Sequence, residues 1–265
     1  MKTNNRARIF FAIPFVVFLI MFVLFPLLLL FYFAFFSGDG FSFEYVKNFF
    51  TDGSLQILLN SIIIALITAV ICIALGYPVA YILAQSKAKS APIILMLLIA
   101  PMWVNGLLRA FATKQLLYAV LGSNLQTGMG TLIIGLVLDF LPFMIMPIYT
   151  VLKNVSSKYR EASADLGASP SQTFASVTLP LSIPGVISGF LMVFTPAVST
   201  YYLSEYLGSS KTYMIGQQLN DVFNASFGKY GRGSVIAIIL LLVVAMSVMA
   251  TNRLSKIGNQ RGGLW

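Results

Sequence analysis

The chain has 265 residues, 58% of them hydrophobic and only 9% charged, with a mean hydropathy of +0.87. A soluble domain keeps roughly a quarter of its residues charged, so this balance excludes an ordinary water-soluble globule and points to a polytopic membrane protein. The net charge of +9 does not mark a nucleic-acid binder, because the basic residues flank apolar runs instead of forming a stripe on a soluble face.

Six candidate spans follow along the chain, α-helical by length, within one membrane domain covering residues 1–265. The first, Ile9 to Phe36, carries no charge. As a straight helix it would be about 42 Å long against a hydrocarbon core of about 30 Å, so it must tilt, kink at Pro14 or Pro26, or extend into the interface. Lys2, Arg6 and Arg8 resemble the basic start of a signal peptide, but the apolar run is too long for a cleaved one and reads as a retained helix. The other spans run from about Gln56 to Ala84, Ala91 to Leu108, Thr131 to Leu152, Ile183 to Tyr202 and Ser234 to Thr251.

Orientation follows from the basic residues. Lys2, Arg6, Arg8, Lys87, Lys89, Lys153, Lys158, Arg160, Arg253, Lys256 and Arg261 fall on one side of this arrangement. Lys47, Arg109, Lys114, Lys211, Lys229 and Arg232 fall on the other, eleven against six. The richer side is predicted cytoplasmic, which places both termini and residues 153–180 inside. The segments near Asp39–Asp52, Arg109–Gly130 and Leu203–Gly233 are then expected as outward-facing connections.

Residues 153–180 form a polar island with helix signals of its own. Ser156 or Ser157 caps a short helix through Leu166, and Gly167 supplies a left-handed stop. A second short helix is expected from Ser169, with Pro170 at its first position and Gln172 completing a capping box. Leu179-Pro180 is expected to end it before the fifth span. Such a hairpin at a membrane surface suits docking into a partner, or serves as an ordinary interfacial loop helix.

Asp139 is the one acidic residue within a predicted span. A carboxylate there requires a cation, hydration or a water-filled path, so Asp139 reads as part of a substrate path for a cation, as the partner of a Lys or Arg of this chain or a partner subunit, or as a hydrated acid in the outer mouth. Trp103, Tyr118, Tyr201 and Tyr202 near the outer boundary suit cation-π contacts or interface anchoring, and Glu205 is a substrate-path candidate or an exposed loop acid. Gly185 and Gly189 form a close-packing pair. The lone Cys72 reads as a small buried apolar residue. Without histidine, and with no acidic or cysteine cluster at metal spacing, no catalytic or metal-ligating residue is expected. Ser210-Lys211-Thr212 lacks the glycines of a phosphate-binding loop, so the chain is not expected to be an enzyme or to bind a cofactor.

The run Glu161-Ala162-Ser163, then Gly167, then Val177-Thr178-Leu179-Pro180 resembles the EAA loop of permease subunits of binding-protein-dependent ABC importers. Ser163 and Val177 depart mildly from that family's usual Ala and Ile. Gly76-Tyr-Pro-Val-Ala-Tyr81, Pro101-Met-Trp-Val-Asn-Gly-Leu-Leu-Arg109 and Leu141-Pro-Phe-Met-Ile-Met-Pro-Ile-Tyr149 are similar to segments of B-type permease subunits of spermidine/putrescine importers. The resemblance implies an all-α, six-span type I importer permease fold in the bacterial cytoplasmic membrane, with a coupling helix between spans four and five. It also implies ATPase-coupling roles for Glu161, Ala162, Ser163, Asp165, Gly167, Leu179 and Pro180, and a polyamine path for which Asp139, Trp103, Tyr201 and Glu205 are the candidates. The implied partners are a homologous C-type permease, two copies of a cytoplasmic ABC ATPase that carries ATP and Mg, and an extracytoplasmic polyamine-binding protein. A related permease for ferric iron or an organic phosphonate is the alternative within the family, and an ATPase-independent channel or carrier the alternative outside it.

Overall fold

The computed structural model describes residues 13–37, 40–122, 127–225 and 230–262. Residues 9–12 of the first apolar run, and Lys2, Arg6, Arg8, Asp39 and Lys229, lie outside them. Among the described residues, five helices are long and apolar enough to cross a membrane, and a bent helix pair meets the same test as a sixth span. The described residues fall into two compact units, one formed by residues up to 55 with 219–242 and the other by 56–218 with residues from 243 onwards.

In the first unit, helix α1 (Ile13–Phe35) contains a widened π turn at Ile20–Leu24, where the Phe25 N–H bonds to the Ile20 carbonyl. Pro26 follows at once. Proline has no N–H and its ring crowds the carbonyl four residues back, so a locally widened turn lets the helix pass it. A minimal antiparallel pair, β1 (Phe36–Ser37) with β2 (Gly40–Phe41), then reverses the chain into α2 (Glu44–Thr51). Phe35, Phe41 and Phe43 pack ring to ring at this turn. Asp52 and Arg232 lie 3.7 Å apart as a half-exposed ion pair.

The second unit holds the main core. Helix α3 (Ser54–Gln85) is followed by α4 (Ala91–Trp103) and α5 (Gly106–Leu121), which meet at 106°. The apolar run expected at 91–108 thus bends inside itself, and part of the connection expected at 109–130 is helical. The local cause is readable. Pro101 sits in a tightened last turn, Val104 is extended, and the Asn105 side chain caps the new helix by accepting the Leu107 N–H at 2.9 Å.

Helix α6 (Met129–Asn154) carries the most buried face of the unit, including Leu136, Met144, Ile145 and Ile148. After α7 (Ser157–Asp165), helix α8 (Pro170–Ser199) packs extensively along α6. Gly185 and Gly189 make that approach possible. A Cβ on Gly185 would stand 3.0 Å from the Pro147 carbonyl oxygen, and one on Gly189 would stand 2.7 Å from Met144 Sδ. Cys72 is buried in α3.

The hairpin's second helix does not end at Leu179-Pro180. It continues unbroken to Ser199 through a second π turn, Phe174–Thr178, where the Leu179 N–H reaches the Phe174 carbonyl. As in α1, the widened turn stands just before a proline. Helix α9 (Tyr202–Leu207), a tight turn at Ser210–Thr212, α10 (Ile215–Ala225) and α11 (Gly231–Gly262) complete the chain. Ser61 of α3 accepts the Ile215 N–H at 2.8 Å and so satisfies a donor at the start of α10.

Candidate functional site

Two clusters contain the residues singled out from the sequence. The first is the hairpin between α6 and α8. Ser156 accepts the Lys158 N–H at the start of α7, and Gly167 ends it at φ +83°, a conformation that costs other L-residues about 1–2 kcal/mol. Ser169 opens α8 with a reciprocal capping box, its N–H donating to Gln172 Oε1 at 2.8 Å while its Oγ accepts the Gln172 N–H at 3.4 Å. Ser163 Oγ and Thr173 Oγ1 lie 3.0 Å apart and tie α7 to α8.

Glu161, Ala162, Asp165 and Gly167 are exposed, and Ser163 is half-buried by the Thr173 contact. Leu179 and Pro180 are also exposed, but on α8 beyond the π turn. The sequence reading passed over Leu166. Its side chain is 89% exposed at the tip of the hairpin, beside Glu161, Ala162 and Asp165 on a short polar helix. The signal was present, since a leucine next to a left-handed glycine on a short polar helix has little core to enter.

The second cluster surrounds Asp139, which is 5% exposed in the middle of α6. Arg109 of α5 grips both carboxylate oxygens, with Nε 2.6 Å from Oδ1 and Nη2 3.1 Å from Oδ2. Tyr202 Oη donates to Oδ2 at 2.9 Å. The same guanidinium donates through Nη1 to the Pro101 carbonyl at 3.1 Å, so Arg109 clasps the bend between α4 and α5 while pairing with α6. Gly106 leaves the room this needs, because a Cβ there would lie 2.7 Å from Tyr202 Oη. Of the readings open for Asp139, pairing with a basic residue of this chain is the arrangement present.

Tyr201 meets Tyr202 edge-on, with centroids 5.7 Å apart, and so belongs to the rim of this cluster. Trp103 stands at the bend with 91% of its surface exposed, and Glu205 is on the exposed side of α9. Pairing of Asp139 with a Lys or Arg was expected as one alternative, but the sequence did not single out Arg109 as that partner or Tyr202 as a hydrogen-bond donor to it, because which neighbouring helix supplies them is set by packing. Among the described residues no group of three or more His, Cys, Asp or Glu is arranged to hold a metal ion.

Comparison with known proteins agrees with this architecture. Residues 76–255 match the family described as "Binding-protein-dependent transport system inner membrane component". The spermidine/putrescine transport system permease protein PotB of Haemophilus influenzae is 33% identical over 265 aligned residues, covering 92% of each chain. The protein of the same name from Escherichia coli is 33% identical over 266, covering 92% of this chain and 96% of that one. Among solved structures, one chain of a bacterial ABC transporter involved in the import of the acidic polysaccharide alginate superposes with a TM-score of 0.78 at 14% identity, covering 96% of this chain and 97% of that chain. A chain of the inward-facing MetNI methionine ABC transporter gives a TM-score of 0.64 at 15% identity, covering 77% of this chain and 95% of that one. These two show the fold, which is that of ABC importers. With a family match over more than half of its length and relatives aligned almost end to end, the chain belongs to the inner membrane components of binding-protein-dependent transport systems.

Proposed function

We propose that this chain is the B-type permease of a polyamine importer and forms half of the translocation path for spermidine and putrescine. The observation that carries this reading is the near-full-length similarity to PotB proteins at 33% identity. The other half of the path comes from a homologous C-type permease, and an extracytoplasmic binding protein delivers the solute. ATP and Mg are held by two copies of a cytoplasmic ATPase. Both termini and the hairpin of α7 lie on the cytoplasmic side, by the distribution of Lys and Arg.

In this reading the α7 hairpin is the coupling element. Glu161 offers a carboxylate for a charge-assisted hydrogen bond, Ala162 and Gly167 permit close approach, and Leu166 supplies an exposed apolar side chain for an ATPase cleft. Ser163 and Asp165 complete the docking helix, while Leu179 and Pro180 carry its motion into α8. ATP binding drives the switch between inward- and outward-facing forms only if ATPase closure and the loaded binding protein both favour the outward-facing one. Trp103, Tyr201 and Glu205 are the exposed candidates for contact with ammonium groups. Asp139 is neutralised by Arg109 and takes part only in a form in which that pair has separated.

Uptake of radiolabelled spermidine and putrescine, measured in cells lacking this chain with and without its return, tests the reading. Restored uptake is the expected result. No restoration, with an ATPase still copurifying, overturns the polyamine assignment in favour of another solute such as ferric iron or an organic phosphonate.

A further inference from the structure

We infer that Phe174 is a positioning residue that delivers movement of the α7 hairpin to the transmembrane helix α3, an inference that rests on the reading of the hairpin as the ATP-driven coupling element. The connection is continuous and short. Ser163 of α7 is bonded to Thr173 at 3.0 Å, and Phe174 is the next residue along α8 and the first of its π turn. The Phe174 ring stands edge-on to two tyrosines one helical turn apart on α3, at 5.9 Å from Tyr77 and 5.2 Å from Tyr81, both at 85°. Tyr77 and Tyr81 lie nearly parallel to each other at 14°, so the wedge meets a two-ring platform instead of a single side chain.

The platform is also fastened beyond the π turn. Ser182 Oγ donates to the Leu179 carbonyl at 2.8 Å, which uses its one hydroxyl proton, so the 2.8 Å contact between Tyr77 Oη and Ser182 Oγ has the tyrosine as donor. Tyr77 and Ser182 are both buried. Helix α3 is therefore held to α8 at the start of the turn by an aromatic wedge and beyond its end by a hydroxyl bridge. A π turn is a natural place for a helix to change its hydrogen-bond register, and the orphaned Thr178 hydroxyl, 3% exposed and without a partner, marks this one as imperfectly satisfied. If the hairpin is pushed, Phe174 presses on the Tyr77–Tyr81 face and α3 moves with it.

The test uses the complete importer in vesicles and reads ATP hydrolysis and spermidine uptake in the same preparation. Phe174→Ala is expected to assemble and hydrolyse ATP while uptake per ATP falls about tenfold, within the range by which coupling residues act. Phe174→Tyr, which keeps the ring, should restore the wild-type ratio. If Phe174→Ala does not assemble, Tyr77→Phe decides, since it removes only the hydroxyl bridge and is expected to lower the ratio about threefold. An unchanged ratio in whichever variant assembles, or a loss of uptake that only tracks the amount of assembled complex, overturns the inference. Absence of a copurifying ATPase from the wild-type chain would instead remove the coupling reading on which it rests.

Discussion

The Asp139 cluster and the α7 hairpin are both polar regions of an apolar chain, yet they are built on opposite terms. Around Asp139 a buried carboxylate is held by Nε and Nη2 of one guanidinium and by a tyrosine hydroxyl, so the carboxylate and its partners satisfy one another. In the hairpin the polar groups are spent on local caps, and the side chains proposed to dock elsewhere are left exposed. The difference teaches that the buried charge at Asp139 holds helices together, whereas Glu161 and Asp165 of the hairpin stay exposed. Mutations in the first region should act through the fold, and mutations in the second through coupling.

Asp139→Asn gives the largest expected effect on the fold. It leaves the Arg109 guanidinium without its counter-charge and should destabilise the protein by about 3–5 kcal/mol, the range found when one member of a buried pair is removed. Thermal unfolding in detergent and the level in membranes measure this. The double variant Asp139→Asn with Arg109→Gln should recover part of the loss, because no unpaired charge remains. Equal loss in the single and double variants would show that the pair does not hold α5 to α6. Lower polyamine uptake by Asp139→Asn should follow the loss of folded protein, with the ATPase still bound to what remains.

Gly167→Ala sharpens the comparison at intermediate size. At φ +83° a Cβ is strained although the site is open, so the cost should be about 1 kcal/mol and confined to the end of α7. Uptake is expected to fall further than stability does, because the hairpin tip is displaced. Parallel changes in both would assign Gly167 a purely structural part.

Glu161→Lys should have the smallest effect on folding and a complete effect on transport. The residue is exposed and the fold does not depend on its charge, so membrane level and unfolding temperature should match the wild type. Uptake and ATPase copurification should both be lost. Full transport by this variant would end the coupling assignment.

Much of the membrane architecture was legible because hydropathy is read locally. Long apolar runs can satisfy their backbone in lipid only as helices, and helices lie at Ser54–Gln85, Met129–Asn154 and Gly231–Thr251 over the runs expected at 56–84, 131–152 and 234–251. The caps at Ser156 and Ser169 and the stop at Gly167 were legible for the same reason, since each is decided by residues within about one helical turn. The site was legible only in part. Asp139 was marked as a buried acid, but its partner stands 30 residues away on a helix that the sequence placed largely in a connection.

What the sequence determined by itself is the membrane helices at Ser54–Gln85, Met129–Asn154 and Gly231–Thr251 and the caps of the polar hairpin, because these follow from side-chain hydrophobicity and from hydrogen bonds between near neighbours. Tertiary structure alone decided that α8 runs on through Pro180 and that Asp139 is neutralised, while Arg109 fastens a bend between Trp103 and Gly106 whose local signals stand at Pro101 and Asn105. For α8 and Asp139 a local rule was overridden by a contact with another helix. Proline marks a stop until a widened turn and a packed partner carry the helix past it, and a buried carboxylate has no readable role until its cation is found in space.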